Sequence, residues 1–192
     1  MIISSLAAYA FSRFEFKGRD DLAFFVLSTR FAPPIAFVIP LMLMYLSLGL
    51  LDTIPGLIIA HTAINAPIAT WLLRSFFKEV SPEIEEAAIL DGCSRIRFLF
   101  EYLIPITTGG VVTVFLLMFV FSWNEFLFVL VLARSAASRT VPLALSGLQS
   151  TQFFMWGELA ALCMLAMIPP LIVAIIAQKY LVRGMTLGAV RG

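Results

Sequence analysis

The sequence predicts an all-α protein, a polytopic bundle of membrane-spanning helices, and three observations predict it. Apolar residues fill 61% of the 192 positions and charged residues 13%, against about 45–50% and about 25% in soluble domains. The apolar residues gather into runs long enough for a hydrocarbon core, which takes about 20 helical residues to cross. Prolines recur inside those runs, at Pro33, Pro34, Pro40, Pro67, Pro169 and Pro170, a frequency that membrane helices tolerate better than soluble ones. A soluble bundle would need an amphipathic coat, and too little polar sequence remains to supply it.

Charge and cysteine content narrow the function classes. A net charge of +1 leaves no basic surface for nucleic acid. Cys93 and Cys163 stand far apart, so neither a disulfide framework nor a metal site is expected, and no cofactor is called for.

Taken in order, Met1 to Phe11 is apolar for about 11 residues, roughly half a crossing, and runs into Arg13. It reads as the tail of a spanning helix that starts before Met1. Four spans follow, Leu22 to Leu50, Ile54 to Phe77, Pro105 to Ala133 and Leu159 to Tyr180. Their prolines suit either a transport path, where broken backbone faces a cavity, or ordinary kinked packing. Short cytoplasmic loops are rich in Lys and Arg. That rule puts Arg13, Lys17 and Arg19, then Arg74, Lys78, Arg95 and Arg97, and finally Lys179, Arg183, Arg191 and the C-terminus in the cytoplasm. The turn at Asp52 and the 134–156 loop then face outward, so a cysteine placed at Ser138 should be reachable from outside and Cys93 should not. Arg30 lies near a span end, where its stem can snorkel to water. The whole chain, 1–192, reads as one membrane domain.

The connection over 81–104 is patterned rather than irregular. Ser81, Pro82, Glu83 and Glu85 make a helix start, with a cap, a first-turn proline and acids at the positive end of the dipole. Ile84, Ala87 and Ala88 share a face. Asp91-Gly92 supplies a turn or left-handed cap, and Ser94 can cap a second short helix carrying Phe98, Leu99, Tyr102 and Leu103 toward Pro105. The pattern predicts a helix-turn-helix on the cytoplasmic face, open to a docking partner; by periodicity alone it could equally be an interfacial hairpin of any membrane protein.

Glu86-Ala87-Ala88, three intervening residues, Gly92, and Pro105 thirteen positions later resemble the EAA loop of ABC importer permeases. Ala7-Ala8-Tyr9-Ala10-Phe11-Ser12-Arg13, Arg30-Phe31-Ala32-Pro33-Pro34, Phe121-Ser122-Trp123-Asn124-Glu125-Phe126 and Arg183-Gly184-Met185-Thr186 are similar to the maltose-type carbohydrate permeases, and these matches cover nearly the whole chain. The resemblance implies a type I ABC importer transmembrane domain, with about four full spans plus the end of a preceding one. It also implies a further spanning helix ahead of the present chain. The 81–104 loop becomes the coupling helix, with Glu86 the acidic contact, Ala87 and Ala88 the close-approach residues and Gly92 the turn. The match departs at Tyr102 and Ile104, both still apolar on an expected packing face. The implied partners are ABC ATPase subunits, a second homologous permease subunit and an extracytoplasmic solute-binding protein, all around a lipid bilayer.

No GxxxxGK[ST] loop occurs in the chain, so ATP hydrolysis is assigned to a partner and the subunit is not expected to be an enzyme. His61 stands in an apolar run with no carboxylate near it in sequence, which argues against catalysis. Asn124 with Glu125, and His61 with Asn65 at i and i+4, are the polar residues set within spans. Each pair can line the translocation path or serve as interhelical hydrogen-bonding glue. A secondary transporter shares broken helices and buried acids but needs a coupling-ion site, for which Glu125 is the one evident candidate. A non-transporting scaffold explains the hydropathy but not the 81–104 loop. An ATP-driven importer working by alternating access on a carbohydrate or related small polar solute accounts for both.

Overall fold

The computed structural model describes residues 1–148 and 156–188, with side chains as far as 179. Arg191 and residues 149–155 of the expected outer loop lie outside the described residues, as do the side chains of Arg183, Met185 and Thr186. Helices follow in the order α1 Ile2–Arg13, α2 Arg19–Ser28, α3 Pro34–Ser47, α4 Ile54–Lys78, α5 Pro82–Leu90, α6 Arg95–Phe98, α7 Ile104–Ile106, α8 Thr108–Trp123, α9 Leu127–Leu132, α10 Val141–Gly147 and α11 Trp156–Gly188. Among the described residues there is no strand.

Two of the four expected spans are single helices: α4, and α11 over Trp156–Lys179, are each long and apolar enough to cross a bilayer. The other two are broken. The run expected from Leu22 to Leu50 ends as α2 at Ser28, passes through a 3-10 turn at Thr29–Phe31 and restarts at Pro34. Pro34 lacks the N–H that a continuing helix needs, and Pro33 is held extended at ψ 118° by the proline after it. The run expected from Pro105 to Ala133 starts later and stops earlier. A bend of 89° at Thr107 separates Arg95–Ile106 from α8, and a second break at residues 124–126 separates α8 from α9. If each bent pair makes one span, the described residues hold up to four spans. Pro40, Pro67, Pro169 and Pro170 instead stay inside their helices. The expected 134–156 loop also carries a helix, α10, with proline in its first turn.

The chain divides into two compact units: Met1–Arg30, Ala66–Met118 and the part from Ile175 on form the first, and Phe31–Asn65 with Phe119–Ala174 the second. In the second unit, Val38 and Tyr45 of α3, Leu57 and Ala60 of α4, and Phe128, Val129, Leu132 and Ala133 at α9 bury together. In the first, Leu73 and Phe77 of α4, Phe98, Leu99 and Leu103 within the 81–104 segment, and Val114 of α8 are all fully buried. A Cβ on Gly110 would stand 2.3 Å from Cγ of Phe76, so α8 approaches α4 there closely enough to require glycine.

Polar and charged residues contribute to both interiors, and two of them, Arg74 and Ser138, correct the sequence reading. Arg74 is not a loop residue: it is buried within α4, donates from Nε to the Phe11 carbonyl at 3.2 Å and pairs with Asp20. Ser138, expected to be open to the outside, is 5% exposed and donates to Asp52. Asp52 stands in the α3–α4 turn at φ +61°. It accepts from the backbone N–H of Arg134 at 2.8 Å and of Ser135 at 2.9 Å, and its own N–H donates to Leu132 at 2.8 Å. These donors, with the Ser138 hydroxyl, hold its carboxyl well below the usual carboxylate range.

Candidate functional site: the 81–104 hairpin and the polar residues of the spans

Local sequence signals build the hairpin as expected. The Ser81 side chain accepts from the Glu83 N–H at 3.4 Å, and Pro82 occupies the first helical position of α5. Gly92 sits at φ +87°. Its N–H donates to the Ile89 carbonyl at 2.9 Å, and the Cys93 N–H donates to Ala88 at 2.9 Å. This paired bonding is the Schellman stop, which uses a left-handed residue to satisfy the last carbonyls of a helix. Ser94 then caps α6 through the Arg97 N–H at 3.4 Å. The second arm runs on through a π-helical stretch at Leu99–Leu103 into α7, a wide turn of the kind frequent at functional sites. Tyr102 does not pack inward as expected: it is 43% exposed and stacks on Phe98 at 5.9 Å.

The hairpin presents the expected residues outward. Glu86, Ala87 and Gly92 are exposed and Ala88 is half-buried, while Ile84 and Leu90 are 44% and 88% exposed. The buried acid is the one that sequence reasoning passed over. Glu85 is the sole buried residue of α5; it accepts from the Tyr9 hydroxyl and lies 3.0 Å from Nε of Arg13. Arg13 also donates to the carbonyl of Val80 at 2.9 Å. The available signal was Tyr9 and Arg13 at i and i+4 on one face of an apolar helix.

In the second unit the structure brings His61 and Glu125 together, Nε2 to Oε2 at 4.0 Å, although no carboxylate neighbours His61 in sequence. Asn65, one turn further along α4, donates to Ser122 Oγ at 2.9 Å. Glu125 occupies the break between α8 and α9, where its oxygens accept from the N–H of Phe128 at 2.9 Å and of Val129 at 3.2 Å. A carboxylate there satisfies donors that the first turn of a helix leaves open. Asn124, just past the end of α8, is exposed and donates to the Val120 carbonyl in the last turn of that helix at 2.8 Å. Among the described residues no group of three His, Cys, Asp or Glu could hold a metal ion.

The family model described as the binding-protein-dependent transport system inner membrane component matches residues 1–187. The probable ABC transporter permease protein y4oR of Sinorhizobium fredii is 40% identical over 98% of this chain and 68% of its own length. The trehalose/maltose transport system permease protein MalG of Thermococcus litoralis is 37% identical over 99% of this chain and 69% of its own. Among solved structures, a bacterial ABC transporter involved in importing the acidic polysaccharide alginate superposes with a TM-score of 0.70 at 26% identity, covering 93% of this chain and 69% of that one.

Proposed function

Because this chain belongs to the family of binding-protein-dependent transport system inner membrane components, we propose that it is the permease subunit through which an ATP-driven importer passes a carbohydrate across the cell membrane. The carbohydrate class is supported by the trehalose/maltose permease and by the alginate importer to which the chain is similar. In this reading an ATPase subunit supplies hydrolysis, a second homologous permease completes the path, and an extracytoplasmic binding protein delivers the solute. Alternating access then carries the solute inward.

The observation that carries the coupling role is α5, a short capped helix whose small and acidic face, Glu86 and Ala87, is open. A docking helix needs small residues so that its backbone can seat closely in a partner's groove, and an acid to choose the partner's surface. Residues 81–104 are accordingly placed in the cytoplasm, on the ATPase side. His61, Asn65, Asn124 and Glu125 are proposed as lining residues of the path. Asn124 is favoured among them because it is exposed just past the end of α8.

The test is reconstitution of the full-length transporter with its ATPase, its second permease and its binding protein, with labelled trehalose and maltose as probes. Uptake of either sugar driven by ATP supports the reading. Glu86→Lys should remove ATPase association while leaving membrane insertion intact, since Glu86 lies outside the spans. Association unchanged in Glu86→Lys overturns the coupling assignment. Uptake that follows a proton gradient and is abolished in Glu125→Gln would establish the secondary-transporter alternative instead.

A further inference from the structure

The attachment of α5 to α1 is ionic rather than apolar. Its apolar side chains Ile84, Ile89 and Leu90 are 44%, 38% and 88% exposed, whereas Glu85 is 7% exposed. A charge is costly to bury and stays buried only where partners replace its water. Here the partners belong to one turn of α1. Tyr9 donates its hydroxyl to one carboxylate oxygen, and the Arg13 guanidinium stands 3.0 Å from the other. The same guanidinium donates to the Val80 carbonyl at 2.9 Å, so Arg13 grips the chain both ahead of α5 and one turn inside it. The second arm is held from the same place: Tyr9 meets the Phe14 ring edge-on at 5.9 Å, and the Arg95 guanidinium at the start of α6 lies over that ring at 4.7 Å.

The Tyr9–Glu85 and Arg13–Val80 hydrogen bonds, with the Arg13–Glu85 ion pair beside them, resist sliding more than an apolar contact does, because a small displacement leaves the buried carboxylate without them. We propose that Tyr9, Arg13 and Glu85 are positioning residues that make the end of α1 and the coupling hairpin one rigid body, so that movement imposed on α5 is delivered to the membrane through α1. This rests on the reading of α5 as the ATPase-docking helix. It adds the element on the permease side that receives the movement.

The test uses the complete transporter in liposomes, with Cys93 and Cys163 replaced by serine and spin labels at Leu6 of α1 and at Leu90, the most exposed large apolar residue of α5. ATP with orthovanadate is the probe. Trapping should leave the label separation unchanged in the parent protein and shift it in Tyr9→Phe and in Glu85→Gln, while both variants still co-purify with the ATPase. The double variant should shift no further than either single one, because removing either partner already opens the clamp. A shift in the parent protein overturns the rigid-body claim, as does an unchanged separation in both variants. Loss of ATPase association in Tyr9→Phe overturns it as well, since the contact would then be holding the docking surface in shape. Glu86→Lys, measured alongside, reports on the docking assignment separately: association unaffected there removes the coupling reading, whatever the spin labels show.

Discussion

Gly92 allows the coupling hairpin to be tested by backbone chemistry alone. Its φ of +87° is left-handed, and apart from its own and its chain neighbours' atoms none of the described heavy atoms lies within 4 Å of the place where a Cβ would be added. Size therefore should not matter, and only the conformational cost should. That cost is about 1–2 kcal/mol for an L-residue, smaller for asparagine, which often takes this position, and larger for a β-branched residue. Escaping the strain would break the Gly92 to Ile89 and Cys93 to Ala88 bonds, both 2.9 Å, each worth about 0.5–1.5 kcal/mol net. The strain and the escape are comparable, so a non-glycine residue should lower the ratio of capped to open hairpin by about 5- to 30-fold. Expected order of ATPase affinity is Gly, then Asn, then Ala, then Val, measured by titrating the ATPase onto the solubilised permease. Hydrogen exchange at the Cys93 amide should quicken in the same order, because that N–H is the bond at stake. Equal affinity for Gly92→Val and Gly92→Asn would refute the argument, since it would mean that the left-handed backbone has no bearing on docking.

Three further outcomes are expected. Gly110→Ala should destabilise the protein by up to about 2 kcal/mol, because overpacking against Phe76 costs about 1–3 kcal/mol and exceeds the helix-propensity gain of about 1 kcal/mol; thermal unfolding in detergent checks it, with Phe76→Ala restoring the midpoint. Asp52, whose folded carboxyl titrates below its ordinary value, contributes stability that is present above the ordinary carboxylate range and is lost as pH falls toward the folded value. Protection of the Arg134 and Ser135 amides should therefore hold from neutral pH down to about 4 and then weaken, whereas Asp52→Asn should lower it even at neutral pH; equal protection in both proteins would remove the role of the carboxylate. A cysteine at Ala137, exposed beside the buried Ser138, should react with an impermeant thiol reagent added outside intact cells while Cys93 stays protected, and the reverse pattern would invert the topology.

Sequence alone determined the features that short-range physics governs. Hydropathy over about 20 residues identifies a span wherever it lies, and α4 and α11 confirm it as unbroken helices. Ser81, Pro82, Gly92 and Ser94 act on bonds three to five residues away, so the capped hairpin was legible from their order, as was the family from the residues around Glu86 and Glu125. Only the tertiary structure decided which of two adjacent acids is buried. Glu85 and Glu86 are alike in sequence, but the Tyr9 hydroxyl that makes Glu85 the inward one comes from 76 positions away. The same holds for Arg74, read from its charge as a loop residue but buried against Phe11 and Asp20, and for Asp52, whose ligands lie 82 to 86 positions on. It holds too for the break at residues 124–126, since apolar sequence runs on either side of it. Hydropathy registers the cost of leaving water, which each residue bears by itself, while a break or a buried charge is decided by partners that the fold alone brings near.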